Sequence, residues 1–74
     1  EEGWYGVPVD YAEAAKWYRI TAENGDAWAQ LKMGQFYRDG KGVPADPQEA
    51  ARWLRRSADQ GNGEAQKALA DAGM

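Results

Sequence analysis

Apolar residues recur along this chain at helical spacing. From Tyr11 they follow at Ala14 or Ala15, Tyr18 and Ala22, the i, i+3/i+4, i+7, i+11 stripe of one helix face. Ala50, Ala51, Leu54 and Ala58 repeat that stripe later in the chain, with Pro47 where the first aromatic stood. Between the two, Ala29, Met33, Phe36 and Tyr37 mark a further helix. Gly34 inside it costs about 1 kcal/mol of helix propensity against alanine. Its expected justification is a neighbouring helix that approaches closely.

The punctuation agrees with these stripes. Asp10 and Asp46 are N-cap candidates, each followed three residues later by a glutamate, Glu13 and Glu49. Pro47 suits the first helical position, where a missing N–H loses no helical bond. The first helix of each pair is therefore predicted over about 11–24 and 47–60, ended by Gly25 and Gly61 in the left-handed conformation. Asp26 and Asn62 cap the second helices, expected to run to about Arg38 and over about 63–72.

Self-comparison explains why the pattern recurs. A shift of 36 residues aligns 7–30 with 43–66, with twelve identities in twenty-four pairs. Among them are Asp10/Asp46, Glu13/Glu49, Ala14/Ala50, Trp17/Trp53, Arg19/Arg55, Ala22/Ala58 and Gly25/Gly61. The predicted fold is all-α: an α/α superhelix, or solenoid, of two antiparallel helix-hairpin repeats with a 36-residue period. The units run about 7–42 and 43–74 within a single domain, 1–74. Residues 1–6 align with the loop segment 37–42, and two units are near the lower limit for a stable array. The chain is therefore expected to be part of a longer array in its parent protein; a natural or engineered two-repeat protein is the alternative.

Composition narrows the chemistry. Seventy-four residues bury only a modest core, so stability rests on a thin margin. With no cysteine and no histidine, disulfides, an ordinary zinc site and the usual acyl-transfer arrangements are all missing. The carboxylate pairs Asp10/Glu13 and Asp46/Glu49 are explained by capping, and the loop 40–42 lacks the GxxxxGK[ST] pattern of a phosphate loop. No catalytic residue, metal or cofactor is expected. A net charge of −3 without a basic stripe points away from nucleic acid, and no apolar run is long enough for membrane insertion. The sequence assigns no cellular compartment.

Seven residues are candidates for partner binding. Lys16/Arg52 and Arg19/Arg55 are matched pairs, either solvated surface or a basic rail for an acidic or carboxylate-bearing peptide. Trp17 and Trp53 share one repeat position, which suits packing between helices or, with an exposed rim, aromatic contact area. Trp28 does not repeat, its counterpart being Glu64, and is either local packing or an exposed anchor. Trp4 and Tyr5 could cover an open end of the array or be left from a preceding unit.

In the order Ala29, Met33, Gly34, Tyr37, then Gly40-Lys41-Gly42-Val43, Asp46, Glu49-Ala50-Ala51, Trp53-Leu54, Ala58 and Gly61, the chain resembles the Sel1-like repeat family, relatives of the tetratricopeptide repeats. The earlier unit matches through Gly6-Val7, Asp10-Tyr11, Glu13-Ala14-Ala15, Trp17-Tyr18, Ala22-Glu23 and Gly25. The last helix departs from the pattern, with Ala70 and Gly73 where Gly and Tyr are usual. The resemblance implies a scaffold or adaptor that holds a protein or peptide on a concave side lined by the first helices of each unit. A structural spacer without a binding site of its own is the alternative.

Overall fold

The computed structural model describes residues 10–73; expectations about Trp4, Tyr5 and the rest of 1–9 lie outside the described residues. Among the described residues there are four α-helices and no strand. These are α1 (Tyr11–Glu23), α2 (Ala27–Asp39), α3 (Pro47–Asp59) and α4 (Gly63–Asp71). Each unit is a hairpin, α1 with α2 and α3 with α4, and every boundary falls within a residue or two of its predicted place.

The caps set those boundaries. Asp10 accepts from Glu13 N at 3.1 Å, Asp26 from Ala29 N at 3.1 Å, and Asn62 from Ala65 N at 2.9 Å. Asp46 takes two amides, Gln48 N at 3.1 Å and Glu49 N at 3.2 Å. Each satisfies donors that a helix start leaves without an intrahelical partner. Glu49 does not complete a reciprocal box; its carboxylate accepts from Arg52 at 3.1 Å. Gly25 (φ 104°) and Gly61 (φ 92°) turn the chain out of α1 and α3.

The units meet chiefly through α2 and α3, a more extensive contact than either hairpin makes internally. Ala22, Ala29, Met33 and Trp53 form one buried cluster, flanked by Tyr18 and Tyr37. Leu31, Leu54 and Ala65 form a second, flanked by Ala58, Ala68 and Leu69. Both clusters span the two units, so neither hairpin encloses its own core. At the closest approach a Cβ on Gly34 would stand 2.6 Å from Leu54 Cδ2 and 3.2 Å from the Ala50 carbonyl. That is why the α2 stripe carries a glycine.

Polar groups tie the same interface. Ser57 Oγ donates to the Ala27 carbonyl at 2.7 Å, and Gln60 Nε2 to the Gly25 carbonyl at 2.8 Å and Gln30 Oε1 at 2.9 Å. Within each unit a matched glutamine closes the hairpin: Gln30 Nε2 donates to Ala22 O at 3.0 Å, Gln66 Nε2 to Ala58 O at 3.2 Å. Hydrogen bonding is what permits Gln30 and Ser57 to be buried. Trp53 Nε1 is the exception, buried without a partner. Its ring still gains the Arg56 guanidinium, 4.7 Å from the centroid.

Candidate functional site

A concavity among the described residues runs along α3. It is an open groove of about 410 Å³ lined by Pro47, Gln48, Ala51, Arg52 and Arg55. Helical geometry accounts for the set, since 48, 51, 52 and 55 are neighbours at i, i+3, i+4 and i+7. Pro47 opens the helix at its first position beneath the Asp46 cap. Ala51 is buried and forms the floor; Arg52 and Arg55 are exposed and form the wall. Arg52 is paired with Glu49 at 3.1 Å, with its own side chain 71% exposed, so the pair adds little stability. Arg55 makes no hydrogen bond or ion pair with the described residues.

The equivalent surface of the first unit is filled. Phe36 packs edge-on against Tyr11 (centroids 5.9 Å apart) and Tyr18 (5.7 Å). Arg19 donates to Tyr37 Oη and lies 5.8 Å from the centre of that ring. In the second unit Pro47 replaces Tyr11, while Ala72 and Gly73 stand where Phe36 and Tyr37 stood. Three rings of the first unit thus have no counterpart in the second.

The seven candidates therefore divide. Arg52 and Arg55 share the groove. Arg19, their repeat relative, is already engaged by Tyr37. Trp53 is only 5% exposed and presents no rim; it packs between units because α2 lies against it. Trp17, at the same repeat position, is 64% exposed, since no helix among the described residues lies on that side of α1. Trp28 is half exposed under the Lys32 ammonium (4.7 Å), so it is not part of the core. Lys16 is exposed on α1. Neither it nor Trp17 nor Trp28 lines the groove.

Pro47, Gln48 and Ala51 were not read as site residues from the sequence, although loss of the rings at 47, 72 and 73 is visible in the 36-residue alignment. Arg38 and Asp39, at the end of α2, raise and lower each other's pKa mainly through their mutual hydrogen bond. That is ordinary surface pairing rather than a catalytic signature. The described residues include no cluster of three or more His, Cys, Asp or Glu able to hold a metal, and no helix long and apolar enough to cross a membrane.

The family profile described as "Sel1 repeat" matches residues 1–26 and 29–62, most of the chain. The chain belongs to the Sel1 repeat family. Solved structures agree. One is a Sel1 repeat protein from Oxalobacter formigenes, at 39% identity and TM-score 0.87 over 93% of this chain. Another is c5321, a protective antigen of uropathogenic Escherichia coli with an SLR fold, at 41% identity and TM-score 0.87 over 92% of this chain. The chain spans 20% and 15% of the length of those two proteins. No curated protein matches it. Sel1 repeats are generally protein-interaction modules and typically non-catalytic, so the chain carries a helical scaffold of a kind that mediates protein contacts.

Proposed function

We propose that this Sel1 repeat segment binds a protein or peptide bearing acidic residues, through the face of its first-in-unit helices that carries Arg52 and Arg55. The observation that carries the reading is the α3 groove, where two exposed arginines stand over an apolar floor. Guanidinium groups recognise carboxylates with paired, directional hydrogen bonds, and arginine is enriched where partners dock. Lys16 extends the same positive character to α1.

The test is titration with a short Asp/Glu-rich peptide, followed by amide chemical shifts. Saturable shifts along α3 are expected, weakened strongly in an Arg52→Glu/Arg55→Glu variant of unchanged helicity and weakened by added salt. Saturable shifts that ignore both the variant and the salt would reject this face, and the absence of any saturable patch would point to the spacer role instead.

The proposed scaffold extends beyond this segment. Ala14, Trp17 and Thr21 on α1 match Ala50, Trp53 and Ser57, the α3 residues buried against α2. A preceding repeat in the parent chain would cover them in the same way. An extended chain with a further repeat upstream should shield Trp17 from a collisional fluorescence quencher; undiminished quenching there would reject this extension.

A further inference from the structure

We infer that the α3 groove receives an aromatic side chain, a phenol above all, carried beside a carboxylate in an extended peptide. The inference deepens the peptide-binding role proposed above and rests on it. The first unit displays the occupied version of this surface. There Tyr37 reaches from the end of α2, accepts a hydrogen bond from Arg19 and lies against its guanidinium, while Phe36 sets its edge against Tyr11. The second unit keeps the arginine, as Arg55, and the small floor residue, as Ala51 for Ala15. It discards the rings: Pro47, Ala72 and Gly73 are in their places, and α4 ends at Asp71. A ring supplied by another molecule would restore what the first unit builds internally.

The electrostatics select the neighbour of that ring. Arginines at 52, 55 and 56 crowd one short stretch of α3. Arg56 is taken by the Trp53 ring and Arg52 by Glu49, which leaves Arg55 without a partner among the described residues. A guanidinium can face a ring and still donate from its edge, so one arginine can hold both the aromatic group and an adjoining carboxylate. The volume, about 410 Å³, lies within the range of about 300–1,000 Å³ typical of ligand-holding clefts.

The probes are three capped tripeptides, Asp-Tyr-Asp, Asp-Ala-Asp and Ser-Tyr-Ser, titrated into the isotopically labelled chain. Asp-Tyr-Asp should shift the amides of Ala51, Arg52 and Arg55 saturably. Removing its ring should weaken binding about two- to fivefold, the scale of one exposed cation–π contact. Ser-Tyr-Ser should bind more weakly and lose its salt dependence. Arg55→Ala should weaken Asp-Tyr-Asp by a similar factor.

Equal affinity for Asp-Tyr-Asp and Asp-Ala-Asp would overturn the aromatic anchor while leaving the charge-based role of α3 intact. Unchanged binding in Arg55→Ala, with helicity preserved, would overturn the location. Shifts centred on α1 would do the same. The Arg52→Glu/Arg55→Glu titration with a wholly acidic peptide tests the underlying role separately.

Discussion

Helices α1 and α3 carry nearly the same residues at the same repeat positions and yet bury different faces. In α3, Ala50, Trp53 and Ser57 are 3%, 5% and 0% exposed against α2. In α1 their counterparts are open: Ala14 is half-buried, Thr21 exposed and Trp17 64% exposed. The hydrogen bonds follow. Ser57 Oγ reaches across to the Ala27 carbonyl, whereas Thr21 Oγ1 folds back to Trp17 O of its own helix at 3.1 Å. Among the described residues, only α3 has a preceding unit packed against this face. Position in the stack, more than residue type, decides which side chains become core.

Truncating the tryptophans puts that conclusion at greatest risk. Trp53→Ala should cost about 3–5 kcal/mol, the usual range for a buried large aromatic, enough to abolish a cooperative transition on a thin margin. Trp17→Ala should change stability by less than about 0.5 kcal/mol, as exposed substitutions usually do. Urea titration followed by far-UV circular dichroism measures both. Similar losses in the two variants would mean that α1 uses this face within the chain after all.

Overpacking sharpens the comparison at the next level. Ala50→Trp should cost about 1–3 kcal/mol or more, because its backbone lies where α3 approaches Gly34. Ala14→Trp should be much milder, since no helix among the described residues faces it from the preceding side. Gly34→Ala belongs to the same test. It gains about 1 kcal/mol of propensity but meets Leu54, so a net loss is expected. Leu54→Ala in the same chain should remove most of the penalty attributable to Gly34→Ala, and a thermodynamic cycle reads that coupling. Ala70, the counterpart of Gly34, is exposed and needs no such gap.

Much of this fold was legible in the sequence. Asp10, Asp26, Asp46 and Asn62 announced the helix starts, and Gly34 announced a close approach. These are local rules, satisfied within a few residues of chain. What escaped depended on neighbours. The α2 stripe predicted one buried face, yet Gln30 and Leu31 are buried as well, because α2 lies between α1 and the second unit. Leu31 aligns with Lys67, so the repeat pattern gave no hint of it. Self-comparison equated Trp17 with Trp53 and Arg19 with Arg55, since it compares positions without their surroundings. Of the candidate site, the arginines on α3 were visible; the groove beside them, lined also by Pro47, Gln48 and Ala51, was not.

A smaller effect is expected from the polar bond between units. Ser57→Ala removes the donor to the Ala27 carbonyl and should cost about 1 kcal/mol, the net worth of a typical internal hydrogen bond. Thr21→Ala, which loses only a bond within its own exposed helix, should fall within about 0.5 kcal/mol of the parent. Equilibrium denaturation with parallel slopes distinguishes the two.

The smallest expected effect comes from Ile20→Arg, which is diagnostic because almost nothing should happen. Ile20 is 54% exposed beside Trp17 on α1, and its counterpart Arg56 lies 4.7 Å over the Trp53 ring. Making α1 more like α3 at this position adds an arginine that can lie over the exposed Trp17 ring, worth about 0.5–1 kcal/mol at most in such surroundings. Part of that gain is offset by ordering a long side chain. The melting temperature should therefore move by no more than a few degrees, while the indole fluorescence of Trp17 responds to the nearby cation. A large loss of stability would show that Ile20 is apolar because the chain itself covers it, and the contrast between α1 and α3 would then need another cause. A silent substitution places the difference in the neighbouring unit that α3 has and that α1 lacks among the described residues, since tryptophan on the same helix face is then core in one unit and surface in the other.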